Sequence, residues 1–228
     1  MTTSYIQGDI HNEIKNIDND SIDLIYTSPP FGITNASWDQ PLKWDILFPE
    51  MWRVLKPNGI IVLHSSMPFT YELLKYETPK YHYSWKKNNS TNFFKAKLQP
   101  LRNVEEVFVY YKKSGTYNPQ MVGDTFYKKR LVKHGGQQKY FGTRTNISKT
   151  QDGEGGHKGK YPTTFLEYPI RKDNTGITRT DAMMDYFIKT YSNEEDTILD
   201  MTTHNNYLGD RCKILNRNFI GIDIDLKI

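Results

Sequence analysis

The chain is 228 residues long, with a formal net charge of +4, 37% hydrophobic and 14% aromatic residues, and a single cysteine, Cys212. Such a length supports one sizeable core with at most a small appended subdomain. The lone cysteine excludes an internal disulfide and any zinc site resting on several cysteines. No apolar stretch approaches the roughly 18 residues that would span a membrane. The opening "MTTSYIQGDI" has neither a basic flank nor an apolar h-region, so a soluble, intracellular, cytoplasmic protein is predicted. Sixteen Tyr and four Trp suit an interface that needs flat, amphipathic faces.

Short apolar runs alternate with amphipathic stretches, which predicts an α/β sheet covered by helices. "SYIQ" opens as a strand and meets Gly8-Asp9, and "IHNEIKNI" places Ile10, Ile14 and Ile17 on one helical face. "SIDLIYTS" is the next strand and ends abruptly in Ser28-Pro29-Pro30-Phe31. "KWDILFPEMWRVL" has helical spacing despite Pro49 and stops at Lys56-Pro57-Asn58-Gly59. "GIIVLHSS" reads as a buried strand whose His64 is predicted to be a satisfied core histidine, and "PFTYELLKY" as a helix. "YHYSWKK" and "VEEVFVYYKK" alternate as two antiparallel strands at a sheet edge. The basic segment "NNSTNFFKAKLQPLRN" between them reads as a mobile functional loop, with Phe93 and Phe94 available for stacking and Trp85 predicted in the core.

From Lys112 to Lys160 there are eleven Lys/Arg against three Asp/Glu, a local excess of +8 that leaves −4 for the rest of the chain. Nine of the fifteen glycines fall in the same stretch, and "QDGEGGHKGK" reads as flexible. A basic, glycine-rich, Tyr-containing segment is the footprint expected for a phosphate backbone. After it come a helix at "TDAMMDYFIKTYS", a strand at "DTILDMTT", a helix through "LGDRCKILNR" and a last strand at "FIGIDIDL". Three strands thus end in chemically suggestive residues: the Ser28 corner, Asp200 and Asp223. Ligands of open α/β sheets sit at such carboxyl ends.

"QGDIHNEIKNIDNDSIDLIYTSPPFG" resembles the opening of the DNA amino-methyltransferases, which methylate adenine N6 or cytosine N4. "LKPNGIIVLHSS" and "AKLQPLRNVEEVFVYYKK" are similar to the segments that follow in that family, and "YFIKTYSNEEDTILDM" with "LGDRCKILNRNFIGIDID" to its cofactor-binding half. The catalytic motif precedes the cofactor motif, the order of the circularly permuted β class. The resemblance implies a Rossmann-like class I methyltransferase sheet, mostly parallel with an antiparallel edge. It divides the chain into a catalytic half (1–111), a basic target-recognition insert (112–165) and a cofactor-binding half (166–228).

The resemblance further implies S-adenosylmethionine as cofactor, no metal, double-stranded DNA as partner and a role in DNA methylation or restriction-modification. An exocyclic amine is a poor nucleophile because its lone pair is delocalised into the base. A rigid corner can accept its hydrogens at Ser28 and at the Pro29 carbonyl, with Pro30 holding the turn and Phe31 stacking on a flipped base. Cofactor contacts are implied for Asp9, Thr27, Thr178, Arg179, Asp200, Thr202, His204, Asn205, Asn206 and Asp223. Of these, Asp9 is equally explained as a helix cap. DNA contacts are implied for Lys95, Lys97 and Arg102 and, in the insert, for Lys128, Lys129, Arg130, Lys133 and Arg144. A homodimer would compensate for a minimal recognition region.

Two motifs depart from the family pattern. The cofactor loop, usually Asp-Pro-Phe-x-Gly-Ser-Gly-Thr, is here "DMTTHNNYLG", so both central glycines are replaced. His204-Asn205-Asn206 is expected to keep the turn because Asn tolerates positive φ. The motif His-Pro-Thr-Gln-Lys-Pro becomes Thr175 to Thr180, where Arg179 can pair with a carboxylate. Ser before Pro-Pro leans toward cytosine N4 over adenine N6. A silent DNA-binding relative that has lost the cofactor, or a methyltransferase of RNA or protein, stays open as an alternative.

Overall fold

A computed structural model describes all residues except 92, 141–142, 174–175 and 228, with backbone alone for 130–140, 143–154, 172–173 and 176–178. The chain divides into two units, Met1–Asn118 with Thr163–Ile228, and Pro119–Pro162. No helix among the described residues is long and apolar enough to cross a membrane.

The larger unit holds an eight-stranded sheet. Its first half carries β1 (Thr3–Gln7), α1 (Ile10–Glu13), β2 (Ile22–Thr27), α2 (Trp44–Val54), β3 (Leu55–Ser65), α3 (Phe69–Leu74), β4 (Tyr81–Thr91) and β5 (Arg102–Tyr110). The strands β6 (Val122–Tyr140) and β7 (Thr143–Lys160) pair antiparallel within the smaller unit. Beyond them come β8 (Phe165–Glu167), a two-stranded ladder of β9 (Ile170–Asp173) and β10 (Gly176–Arg179), α4 (Asp181–Tyr191), β11 (Thr197–Asp200), α5 (Tyr207–Ile214) and β12 (Asn218–Asp223). The sheet order is β1-β12-β11-β2-β3-β5-β4-β8.

Side chains alternate across the central strands, as the two-residue strand period requires. Ile25, Ile61 and Leu63 enter one core with Trp44, Leu47, Phe48 and Met51 of α2. Leu24, Tyr26, Ile60 and Val62 enter the other with Met183, Met184, Phe187 and Tyr191 of α4. Each sheet face is thereby covered, which explains why β2 and β3 read as continuous apolar runs. Part of the aromatic excess is used here: Tyr26, Tyr83, Tyr110, Tyr186, Tyr191, Trp44 and Trp85 are buried, so those rings serve the core rather than the expected interface.

Strand β5 lies inside the sheet between β3 and β4, and β4 is covered in turn by the parallel strand β8. The antiparallel pair is therefore not at the edge; the three-residue strand β8 lies outside it. Helix α2 ends at Val54, before the expected terminator is reached, and Lys56 to Gly59 already belong to β3. The glycine-rich "QDGEGGHKGK" lies within β7.

Candidate active site

Between β11 and β2 the strand order reverses direction. The connection through α5 leads from β11 to β12 on one side, and the connection through α2 leads from β2 to β3 on the other. All four strand pairs from β1 to β3 are parallel, so their carboxyl ends open on one edge, where a ligand crevice forms. Thr27 ends β2, Asp200 ends β11 and Asp223 ends β12, while Gly8 follows β1 and donates its N–H to the Asp223 carbonyl at 2.9 Å.

The Thr27 hydroxyl donates to Asp200 Oδ1 at 2.8 Å and lies 3.0 Å from the Thr202 hydroxyl; Thr202 N–H donates to the same Oδ1 at 3.2 Å. Ser28 and Phe31, half-buried, and Pro29, buried, continue from Thr27. The corner and the residues that follow β11 are thus joined by a direct bond across 173 positions of sequence. Phe31 stacks on Phe69 with ring centroids 5.2 Å apart and planes 20° apart.

Asp200 is fully buried, and burial pushes its carboxyl above the ordinary carboxylate range. Its Oδ2 has no hydrogen-bond partner, and the nearest cation, Arg179 Nη2, stands 3.8 Å away. Nη1 of Arg179 is buried and unpartnered as well, and its guanidinium lies 5.0 Å over the Tyr26 ring. Two opposite charges therefore share one edge without satisfying each other. Unpaired buried groups of this kind are costly unless a ligand completes them.

His204 takes the positive φ, +55°, at which the loop turns, rather than either asparagine. The turn is held from β12: His204 N–H donates to Asp223 Oδ2 at 2.8 Å, and Asp225 N–H donates to Oδ1 at 2.9 Å. Asn205 accepts from Tyr207 N–H at 3.1 Å and Asn206 donates to Asp210 at 2.9 Å, so both side chains organise the start of α5. Packing favours glycine at 209: a Cβ there would lie 2.2 Å from the Tyr5 hydroxyl.

Asp9 caps α1, accepting from His11 N–H at 2.9 Å and from His11 Nδ1 at 2.7 Å, bonds that lower its pKa. Asp9 adjoins Gly8 at the same sheet edge, with its carboxylate half-exposed. The side chains of Thr178, Arg130, Lys133 and Arg144 lie outside the described residues. Lys95, Lys97, Lys128 and Lys129 are exposed; Arg102 instead donates to the Met67 carbonyl at 2.8 Å. Phe93 and Phe94 are exposed and Trp85 is buried, its Nε1 donating to the Tyr168 carbonyl at 2.9 Å. His64 is buried as expected but not satisfied, since neither ring nitrogen has a hydrogen-bond partner.

Two features next to the corner escape sequence reading. Asp39 is buried among backbone donors of the loop after Phe31, and its neighbour Trp38 is 70% exposed. The only signal was an acidic residue in a turn-rich segment, which ordinarily means a solvated loop.

A family model described as DNA methylase matches residues 22–228. The type II methyltransferase M.HpaI of Haemophilus parainfluenzae is 26% identical over 237 residues, covering 93% of this chain and 67% of the relative. The DNA adenine methyltransferase YhdJ of Escherichia coli (strain K12) is 26% identical over 239 residues, covering 96% and 78%. Among solved structures, the cytosine-N4-specific PvuII DNA methyltransferase superposes with a TM-score of 0.65 at 15% identity, over 100% of this chain and 83% of that one. The M1.HpyAVI–SAM complex gives 0.57 at 19% identity, over 97% and 92%.

Proposed function

Since the chain belongs to the DNA methylase family, whose model matches residues 22–228, we propose that it transfers a methyl group from S-adenosylmethionine to an exocyclic amino group of a base in DNA. The observation that carries this reading is the Thr27–Asp200 bond, which joins the Ser-Pro-Pro-Phe corner to an edge bearing an unpartnered carboxylate oxygen and an unpartnered guanidinium nitrogen. The residues present fit the cofactor: Asp200 Oδ2 suits its ammonium group, Arg179 its carboxylate and Asp223 its ribose hydroxyls. When bound, S-adenosylmethionine supplies an electrophilic methyl on a sulfonium.

The chain's own residues then prepare the acceptor. Ser28 and the Pro29 carbonyl accept the two amine hydrogens, which draws the lone pair out of conjugation with the ring. Pro29 and Pro30 hold those acceptors with φ angles fixed and no competing N–H. Phe31, braced from behind by Phe69, offers a stacking face to the extruded base. The amine loses its proton to solvent after transfer.

Cytosine N4 is favoured as acceptor by Ser28 at the head of the corner. Adenine N6 is the second reading, favoured by the likeness to an adenine-specific relative over 96% of the chain. Incubation with labelled cofactor and DNA, followed by digestion to nucleosides and mass analysis, decides between them. Label in N4-methyl-2′-deoxycytidine supports the first and label in N6-methyl-2′-deoxyadenosine the second. Label in neither, with intact cofactor binding by calorimetry, rejects the methyltransferase reading. Ser28→Ala lowers turnover by about 100-fold or more while cofactor affinity stays unchanged; full activity would reduce the corner to a turn.

A further inference from the structure

We propose that Asp39 is a positioning residue for the transfer step, acting through Phe31; the proposal rests on the methyltransferase reading above. Asp39 is 4% exposed, an unusual place for a carboxylate. Its Oδ1 accepts Gly32 N–H at 2.7 Å, and its Oδ2 accepts Ile33 N–H at 3.0 Å, Thr34 N–H at 2.7 Å and the Thr34 hydroxyl at 2.7 Å. Burial alone would raise the carboxyl pKa. The Thr34 hydroxyl and the N–H groups of Gly32, Thr34 and Ile33 outweigh it and hold the group below its ordinary value. The carboxylate is therefore ionised at neutral pH and fully engaged by the loop.

The loop needs this anchor. Gly32, Ile33, Thr34 and Asn35 are exposed and belong to no helix or strand, so no ladder pairs their backbone. Gly32 sits at φ +65°, and a Cβ there would stand 2.7 Å from Pro41 Cγ, so the turn closes tightly just past the corner. The prolines constrain the backbone before Phe31, and Asp39 constrains it after. Between these two constraints the Phe31 ring lies nearly parallel to Phe69, with planes 20° apart. A stacking platform works only if its plane is fixed, because a base tilted or displaced by an ångström presents its amine badly to the corner.

A merely stabilising loop anchor would lower the melting temperature without coupling to Phe31, and this difference supplies the test. Asp39→Asn keeps the shape but replaces one acceptor oxygen with a donor, setting it against a loop N–H. Single-turnover transfer from labelled S-adenosylmethionine to DNA is expected to fall about 10- to 100-fold, with cofactor affinity by calorimetry unchanged. In a Phe31→Leu background, which removes the stacking face, the same substitution is expected to cost no more than about threefold, because coupled residues are not additive. An unchanged rate for Asp39→Asn, or an equal loss in both backgrounds, overturns the proposal. Should Asp39→Asn fail to fold, Thr34→Val removes the hydroxyl that donates to Asp39 and accepts from Ala36 N–H, and is expected to slow transfer in the wild-type background but not beside Phe31→Leu; no slowing in the wild-type background overturns the proposal equally. A wild-type protein that binds cofactor yet labels no DNA would instead bring down the reading on which the proposal depends.

Discussion

His64 ends the buried half of β3 with its ring among Tyr26, Trp85 and Phe187, at centroid distances of 5.8, 5.8 and 6.1 Å. Burial holds its pKa well below the usual imidazole value, and the charges of Arg179 and Lys87 push the same way. The unfolded chain takes up a proton at His64 near pH 6.5 and the folded chain does not, so stability is lost as pH falls below that point, by up to about 1.4 kcal/mol per pH unit. His64→Phe fills an aromatic slot with an aromatic ring and removes two unpartnered nitrogens. Urea unfolding at pH 7.5 and 5.5 should therefore show the wild type losing about 1 kcal/mol more than the variant on acidification. Equal losses would mean that the ring titrates normally in the fold. The sequence placed His64 at the end of a buried strand; that its nitrogens lack partners depends on three side chains drawn from β2, β4 and α4, which no local pattern encodes.

At the scale of elements, α4 is fastened to β4 by hydroxyls as well as by apolar contact. The Tyr191 hydroxyl lies 2.9 Å from that of Tyr81 and 2.6 Å from that of Tyr83, and burial raises the pKa of all three. Tyr191→Phe removes the shared partner and leaves the buried Tyr83 hydroxyl without it, at a cost of about 1–3 kcal/mol. Chemical denaturation reads this directly, and a change under about 0.5 kcal/mol would show that the hydroxyls re-pair or bind water. Elements with a strong period were legible beforehand: β2, β3 and β12 by apolar runs, α2 and α4 by helical spacing. The strand β8 was not, because three residues of "FLE" carry no period and gain their role only by pairing with β4. Nor was the long ladder of β6 and β7, whose polar, glycine-rich sequence does not alternate. In the site, Ser28, Asp200 and Asp223 were visible because strand ends can be read from where apolar runs stop. Asp39 was not, since its burial depends on a turn that folds the chain back past Gly32.

For the molecule as a whole, chemistry and basic charge are carried by separate stretches of chain. The switch point belongs to the larger unit, whereas the stretch 112–160, with its excess of +8, lies mostly within Pro119–Pro162. In that smaller unit Lys128 and Lys129 are exposed on β6 and, with Gly156, His157 and Tyr161, line a cavity of about 420 Å³. Tyr127 stacks on His157 at 5.7 Å, which stiffens the ribbon where these lysines project. If the ribbon contacts phosphates, each lysine lost removes about one released counterion, so the slope of log affinity against log salt becomes shallower by about one per contact. Lys128→Ala with Lys129→Ala should thus weaken DNA binding across all sequences and flatten that slope by up to about two. Neither residue lies in the larger unit, so cofactor affinity should not move. Fluorescence anisotropy on a DNA duplex over a range of salt concentrations measures the slope and calorimetry the cofactor. An unaltered slope would assign DNA contact to other basic residues, with Lys95 and Lys97 before β5 the next to test. A loss of cofactor binding would mean that the two units are energetically coupled.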